Sequence, residues 1–284
     1  MNANTAPKLG GAGDIPLHDL VTLAVAAGRE IMTIRDAGFS AVKKADGSPV
    51  TVADQRAEAV ILEGLARLAP GVPVIAEEEA AAGRVPALDD VFFCVDPLDG
   101  TRDFIEGDSG EFTVNIALVR ARTPIVGVIY APATGALYAG EPGRALKGAW
   151  DARTGERVAP LAPISVAPAG DVWRVTASRR STGKRIQSFI EALKGESEVL
   201  RSSSSIKFGM LAEGVADLYP RFGDVSEWDA AAGHAILAAA GGDLMRLDAS
   251  PVRYGRADRG FIIDGFVAFG SPAAAAEALR ILNA

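Results

Sequence analysis

Two aspartates three residues apart form the part of the chain best suited to binding a divalent cation. Asp96 and Asp99 directly follow the apolar run 91–95, which predicts a buried strand, and the carbonyl of Leu98 lies between them. Hard cations such as Mg²⁺ prefer this kind of oxygen-only ligand set, and open α/β sheets place ligands where strands end. An ordinary strand-to-loop turn is the alternative, because Asp, Pro and Gly are common turn residues.

The next two residues favour a phosphate group at the same place. Gly100 and Thr101 follow Asp99, and a glycine lets backbone N–H groups come close to a ligand. The turn therefore offers carboxylates to a cation and amides to an anion.

Two further acidic segments could reach this turn. Glu77 begins the run 77–79 after the apolar strand 72–75, and Asp229 lies in the first turn of an apolar helix predicted at 227–240. The alternatives are a solvated acidic run and an acid that complements the helix dipole, worth less than about 1 kcal/mol.

The composition excludes several classes of protein. The chain has 284 residues, 49% of them hydrophobic and 23% charged, which is typical of one large or two moderate globular domains. The net charge of −7 argues against a nucleic-acid polymer as partner. No apolar run reaches the ~18 residues of a membrane span. The single cysteine, Cys94, lies in an apolar run and is expected to be buried and inert.

The pattern of elements predicts two lobes after a flexible tail at 1–14, which lacks the features of a signal peptide. Helices predicted at 17–37 and 52–68 cover a sheet containing an antiparallel meander at 112–139. The proline-containing stretch 151–170 marks the boundary, and we divide the chain into lobes 15–160 and 161–284. Strands and helices alternate in the second lobe: strands at 173–177, 198–201, 216–219, 242–247 and 265–269, and helices at 184–193, 205–213, 227–240 and 272–282.

These motifs, in this order, resemble the inositol monophosphatase superfamily of Mg²⁺-dependent, lithium-sensitive phosphatases. Within it, the chain is most similar to the bacterial 3′(2′),5′-bisphosphate nucleotidases, through the segments 44–51, 110–118, 128–132 and 203–229. The resemblance implies an α+β fold in alternating αβαβα layers, of the sugar-phosphatase type, with the active site between the lobes.

The resemblance also implies the roles of the acidic residues. Glu77, Asp96 and the Leu98 carbonyl would hold one Mg²⁺, and Asp96, Asp99 and Asp229 a second, while a third ion is left open. Two ions at this spacing clamp the attacking and leaving oxygens of a phosphoryl displacement.

A catalytic dyad is implied by the same resemblance. Thr101 paired with Asp54 would orient and deprotonate the attacking water, Glu77 would act with them through its metal, and the amides of Gly100 and Thr101 would bind phosphate. For Asp54 the alternative is a charge at a helix start.

Substrate-binding residues follow less directly. The resemblance places Lys207, Ser204, Arg180 and Asp229 at the substrate, and Lys207 suits a second phosphate, although a solvated helix charge is the alternative. Phe222 stands where inositol phosphatases carry an acid.

The nucleoside-binding part of the pattern is incomplete. The Ser-Arg-Ser-His sequence usual in bisphosphate nucleotidases is replaced by Ser-Arg-Arg-Ser at 178–181, and His18 and His234 lie on predicted helices where structural roles are expected. Arg180 could instead stack on adenine or bind phosphate.

Three functions are compatible with these residues. The first is a Mg²⁺-dependent phosphatase that hydrolyses the 3′-phosphate of adenosine 3′,5′-bisphosphate (PAP), and also its sulfated analogue PAPS, in sulfate assimilation. The second is an inositol-1-phosphatase or broad sugar phosphatase, favoured if Phe222 and Lys207 face away from the cleft. The third is a non-catalytic metal or nucleotide binder. We expect a monomer or homodimer in the cytoplasm, free or peripheral to the inner membrane face, acting on a small phosphorylated nucleotide.

Overall fold

A computed structural model describes residues 15–43, 49–107, 109–180 and 183–283 of the protein. The predicted tail 1–14, residues 44–48 of the motif 44–51, and Ser181 lie outside the described residues.

Two long helices begin the described chain, and their limits agree with the sequence pattern. α1 (Leu17–Ala37) ends before Gly38, and α2 (Val52–Leu68) ends just before the Pro70-Gly71 pair, as expected where the chain cannot continue a helix. Between the helices lies a two-stranded antiparallel hairpin of β1 (Ala41–Lys43) and β2 (Pro49–Thr51).

A seven-stranded sheet follows, in the order β3-β4-β5-β6-β7-β8-β9. Its strands are β3 (Val74–Ala76), β4 (Val91–Asp99), β5 (Thr113–Arg120), β6 (Thr123–Tyr130), β7 (Ala136–Glu141), β8 (Arg144–Trp150) and β9 (Arg157–Ile164). β3 and β4 are parallel, whereas each later pair of neighbours is antiparallel. β5 to β7 form the predicted meander.

Several elements of this half were not predicted. Two short helices, α3 (Glu77–Ala81) and α4 (Thr101–Glu106), flank the acidic turn and are too brief to show a helical period. The stretch predicted to be irregular contains β9, whose Pro160 and Pro163 are compatible with an edge strand because such a strand needs fewer N–H donors. A division at 160/161 would cut this strand, so we propose that the first lobe extends to Ile164.

The second half carries a five-stranded sheet in the order β11-β10-β12-β16-β14. Its strands are β10 (Val172–Ser178), β11 (Glu196–Ser202), β12 (Leu218–Arg221), β14 (Asp243–Arg246) and β16 (Phe266–Phe269), and a separate pair joins β13 (Val225–Ser226) to β15 (Ile262–Ile263). The helices are α5 (Lys184–Glu191), α6 (Ile206–Ala212), α7 (Glu227–Ala240) and α8 (Pro272–Leu282). The predicted alternation of strands and helices is confirmed.

Three apolar clusters hold these elements in five layers. The first lies between α1, α2 and one face of the large sheet, and the second joins the other face to α6, α7 and the small sheet. The third lies between the small sheet and α5 and α8. The order is therefore αβαβα, as predicted. Among the described helices, none combines the length and apolar character needed to cross a membrane.

The close packing of α7 on the large sheet depends on two glycines of the sheet, because a side chain at either position would collide with the helix backbone. A Cβ added to Gly127 of β6 would lie 2.3 Å from the Ala232 carbonyl oxygen, and one added to Gly140 of β7 would lie 2.7 Å from the Ile236 Cα. The backbone of α7 thus packs directly against the sheet in its second and third turns.

We expect Gly127→Ala to lower the free energy of unfolding by about 1–3 kcal/mol, because α7 must move to accept the methyl group. Urea unfolding followed by circular dichroism measures the change. Gly170→Ala is the matched control, since nothing lies within 4 Å of the added Cβ. Equal stability of the two variants would contradict the close seat of α7.

Candidate active site

Four acidic side chains from three segments come together where β3 and β4 end. Glu77 begins α3 directly after β3, Asp96 and Asp99 lie in the last part of β4, and Asp229 lies in the first turn of α7. Glu77 raises the pKa of each of the three aspartates, which places all four carboxylates in one neighbourhood.

Burial and mutual repulsion make these carboxylates hard to ionise. Burial is the largest cause of the raised pKa of Asp96, followed by the charges of Glu77, Asp99 and Asp229. Burial likewise raises the pKa of Asp229 well above its usual range, and that of Asp99 to about 6 although Lys207 opposes the shift. Such a site gains free energy from a bound cation, which removes the repulsion.

The donor set fits a hard divalent cation, although the side chains are not yet arranged around one. Among the described residues, no three or more His, Cys, Asp or Glu side chains are arranged so that together they could hold a metal ion. The chemistry is nevertheless oxygen-only, with the Leu98 carbonyl on the same turn, as Mg²⁺ prefers. The carboxylates would need to turn toward a common centre.

Asp54 and Thr101 form a hydrogen-bonded pair beside the acidic cluster. The Thr101 hydroxyl lies 3.0 Å from Asp54 Oδ1 and 3.2 Å from the Leu98 carbonyl oxygen, so its proton has two acceptors. Asp54 Oδ2 accepts the backbone N–H and the hydroxyl of Thr51, at 2.7 and 2.8 Å. Because Thr51 donates to Oδ2, Oδ1 is the oxygen of Asp54 that accepts from Thr101. Thr51 was not among the site residues expected from the sequence.

Burial raises the pKa of Asp54, while the hydrogen bonds from Thr51 and Thr101 act in the opposite direction. The position of Asp54 at the start of α2 also serves a capping box with Thr51. Asp54 therefore has both of the roles considered from the sequence: it is an acid at the start of α2, and it is the hydrogen-bond partner of Thr101.

The turn after Asp99 requires glycine. Gly100 has φ +86°, and a Cβ there would lie 2.2 Å from Ser204 Oγ. Ser204 Oγ itself lies 2.7 Å from the Glu111 carbonyl oxygen and 3.1 Å from that of Asp99. Ser204 therefore holds the loop before α6 onto the turn, and its hydroxyl is directed to backbone oxygens.

A small cavity of about 160 Å³ lies beside the cluster and is lined by both acidic and basic side chains. Lys207 is buried in it, with Nζ 2.5 Å from the Ser204 carbonyl oxygen and 5.2 Å from the centre of the Tyr219 ring. Burial lowers the pKa of Lys207 to about 8, and the charge of Asp99 opposes the shift. Lys207 faces the cavity and is not a solvated helix charge.

Arg221, and not Phe222, faces this cavity. Phe222 packs on the outer side of the small sheet, with its ring 5.8 Å from that of Phe189 and under the guanidinium of Arg185. Arg221 lines the cavity, and its buried Nε has no hydrogen-bond partner among the described residues. Its Nη2 donates to the Asp224 carbonyl oxygen at 3.0 Å.

The alternation of β12 could have revealed Arg221. Tyr219 packs in the central cluster and Leu218 in the outer one, so residues of a strand two apart share a face. Arg221 then lies on the side of Tyr219, and Phe222 on the side of Leu218.

Arg180 lines the same cavity but is already paired. Its guanidinium lies 2.5 Å from Glu106 and 3.2 Å from Asp103, both on α4. These contacts join the two lobes across the cavity. Ser181 of the same motif lies outside the described residues.

Neither histidine lies among the residues that line the cavity. His18 lies beside Asp19 near the start of α1 with most of its side chain exposed, and His234 is buried between Tyr254 and Asp243. Cys94 is buried, and burial raises its pKa, as expected for an inert thiol.

Two buried glutamates near the site were not selected from the sequence. Glu58 of α2 accepts the backbone N–H groups of Glu78 and Glu79, and Glu227 of α7 accepts those of Gly255 and Arg256. Each lies near a residue of the acidic cluster in sequence or space. The signal available for Glu58 is its helical spacing of four residues from Asp54.

Comparison with known proteins agrees with this geometry. The sequence profile of the inositol monophosphatase family matches residues 17–279. The 3′(2′),5′-bisphosphate nucleotidase CysQ of Escherichia coli K12 is 40% identical over 240 residues, which cover 84% of this chain and 93% of that protein.

Solved structures show the same fold. CysQ from Bacteroides thetaiotaomicron, a bacterial member of the inositol monophosphatase family, superposes with a TM-score of 0.75 at 35% identity, covering 89% of this chain and 96% of that one. Inositol monophosphatase from Anabaena has a TM-score of 0.70 at 26% identity, with 94% of both chains covered.

The raised pKa values predict how stability depends on pH without metal. A carboxyl such as Asp99, with a pKa of about 6 in the folded protein against 3.8 ordinarily, stabilises the fold while protonated. This stabilisation is complete below the ordinary pKa and is lost as pH rises through about 6. In EDTA, this carboxyl should lower the free energy of unfolding by about 3 kcal/mol across this interval, and Mg²⁺ should restore it more at the higher pH. Urea unfolding at several pH values measures both.

Asp99→Asn is the matched control, because it removes one of the repelling charges. The variant should lose less stability than wild type as pH rises. An equal loss, or no effect of Mg²⁺ on wild type at the higher pH, would contradict the electrostatic coupling of the cluster.

Proposed function

The chain belongs to the inositol monophosphatase family, and we propose that within it the chain is a Mg²⁺-dependent 3′(2′),5′-bisphosphate nucleotidase that converts PAP to AMP and phosphate. The observation that carries the proposal is the meeting of Glu77, Asp96, Asp99 and Asp229 beside the Thr101–Asp54 hydrogen bond. The similarity to CysQ, at 40% identity over most of both chains, supports this substrate.

Metal binding is assigned to the acidic cluster. Glu77, Asp96 and the Leu98 carbonyl would hold one Mg²⁺, and Asp96, Asp99 and Asp229 a second. Bound there, the ions would lower the pKa of water and neutralise charge on the phosphate oxygens.

Thr101 and Asp54 supply the proton path. The Thr101 hydroxyl takes a proton from the attacking water as it passes its own to Asp54 Oδ1. The raised pKa of Asp54 suits this role, because a less stable carboxylate accepts a proton more readily. The new P–O bond forms as the bond to the ribose 3′ oxygen breaks, and that oxygen takes a proton from a solvent water to become the 3′-hydroxyl of AMP.

Lys207 and Arg221 supply positive charge for the second phosphate. The cavity of about 160 Å³ that they line is too small for a nucleotide, since pockets for whole ligands measure about 300 Å³ or more. We therefore place a phosphate group in it and the nucleoside toward the protein surface, beside Arg180, which would have to leave Glu106 and Asp103 in order to stack on the base. The unpartnered Nε of Arg221 supplies a donor for such a group.

An inositol phosphatase is the second candidate, favoured by the outward position of Phe222. The inward position of Lys207 and Arg221 favours a substrate with two phosphates instead. A non-catalytic binder would have no need of the Thr101–Asp54 pair. We also propose that hydrolysis of PAP, and of PAPS, serves sulfate assimilation, with the protein in the cytoplasm, free or peripheral to the inner membrane face.

We expect wild type to release phosphate from PAP with a higher kcat/KM than from inositol 1-phosphate or fructose 1,6-bisphosphate. The reaction should require Mg²⁺ and be inhibited by lithium. Thr101→Val should lower kcat by about 100-fold or more, because it removes the proton relay, whereas Thr101→Ser keeps the hydroxyl and most of the activity. A colorimetric phosphate assay measures all of these rates.

Preference for inositol 1-phosphate would overturn the substrate and leave the family and fold unchanged. Equal activity of Thr101→Val and wild type would contradict the proposed relay.

We expect Arg221→Gln to raise KM for PAP by about tenfold, because a charged donor to phosphate is lost. KM for adenosine 3′-monophosphate, which lacks the second phosphate, should change little. Arg185→Gln is the control, since Arg185 stacks on Phe222 outside the cavity. An equal change in KM for both substrates would contradict the assignment of Arg221 to the second phosphate.

A further inference from the structure

A buried glutamate that the proposed mechanism does not use lies directly beneath the helix that carries Glu77. Glu58 is only 3% exposed. Its Oε2 accepts the backbone N–H of Glu78 at 2.8 Å, and its Oε1 accepts that of Glu79 at 2.9 Å. Both oxygens of one carboxylate thus bind consecutive amides in the first turn of α3.

These two bonds fix the backbone next to Glu77. α3 has only five residues and no side-chain cap at Ala76, so it has little internal means to hold its first turn. Without Glu58, two amides of that turn would lose their acceptor. The direction in which Glu77 leaves the backbone would then be poorly defined.

The placement of Glu58 on α2 connects it to the proton relay. Asp54 and Glu58 are four residues apart and therefore lie on one face of the helix. Asp54 binds Thr101 at one turn, and Glu58 binds α3 at the next. α2 is a seventeen-residue helix packed against α1 and the large sheet, and is therefore a rigid support for both.

Burying the carboxylate of Glu58 costs free energy of desolvation, which an apolar side chain in the same place would not cost. The pKa of Glu58 is raised to about 7, mainly by burial and also by the charges of Glu78 and Glu79, while the two N–H groups act in the opposite direction. Ala53, Ala57 and Ile61 on the same helix are buried in the apolar cluster between α2, α1 and the large sheet, whereas Glu58 is buried against the backbone of α3. A carboxylate in this environment requires a reason beyond packing.

We propose that Glu58 is a positioning residue, which aims Glu77 at the divalent cation by clamping the first turn of α3, and which sets Glu77 and the Thr101–Asp54 pair at a fixed distance through α2. The proposal rests on the proposed metal-dependent function, and it adds a residue outside the ligand set that determines metal affinity.

The test compares Glu58→Gln with Glu63→Gln, a control on the exposed side of α2 where Glu63 pairs with Arg67. Glutamine keeps the shape of Glu58 but offers one acceptor oxygen to two amides. Mn²⁺ binding without substrate is measured by electron paramagnetic resonance of the free ion. Glu58→Gln should weaken Mn²⁺ binding by about tenfold, as changes behind metal ligands commonly do, and Glu63→Gln should not.

A double-mutant cycle distinguishes positioning from general destabilisation. If Glu58 acts through Glu77, adding Glu58→Gln to Glu77→Gln should weaken Mn²⁺ binding by less than twofold further. Undiminished additivity, or Mn²⁺ affinity of Glu58→Gln equal to wild type, would overturn the proposal. In turnover, the Mg²⁺ activation constant should rise while KM for PAP at saturating Mg²⁺ stays within about twofold.

Two further measurements keep the test decisive if Glu58→Gln folds poorly. Glu58→Asp keeps the charge but shortens the reach, so it should also weaken Mn²⁺ binding; full affinity would overturn the proposal. In wild type, Mg²⁺ should slow hydrogen exchange of the Glu78 and Glu79 amides, and no change would overturn it. Because Mn²⁺ binding is measured without nucleotide, failure to hydrolyse PAP would overturn the proposed substrate and leave this inference intact.

Discussion

Repulsion among carboxylates held close together is the constraint on which the rest of the structure depends. Asp96, Asp99 and Asp229 all have raised pKa values because they are buried beside one another and beside Glu77. A local hydrogen bond reduces the cost for Asp96, since the Leu98 N–H donates to its Oδ1 at 2.9 Å and acts against the rise in its pKa. The start of α3, the last part of β4 and the first turn of α7 together bring these charges near each other.

The long elements were predictable because local signals and burial agree on them. α1, α2 and α7 each combine a sustained pattern with a breaking residue at the end, and Gly241 ends α7 in the left-handed conformation. The acidic cluster was also suggested by the sequence, since its members follow apolar strands or open a helix. That they meet depends on a sheet order that one sequence does not show.

What the sequence did not reveal depends on direction and on backbone contacts. Phe222 was singled out by its sequence distance from Asp229. Because side chains alternate along β12, however, Phe222 packs on the outer side of the small sheet, and Arg221 lines the cavity. Glu58 carries no motif, because its partners are backbone amides about twenty residues away that form a helix too short to predict. Lys207 was anticipated, but its pairing with the Ser204 carbonyl arises from the loop before α6.

The prolines of β9 have a consequence for how the molecule meets its neighbours. β9 is the last strand of the large sheet in the described chain, and such a border is open to a strand from another molecule. Pro160 and Pro163 have no N–H to offer, and Arg157 adds a charge at the start of the strand. A second chain would find an interrupted ladder there, so the border resists growth into aggregates at the high concentrations of a crowded cell.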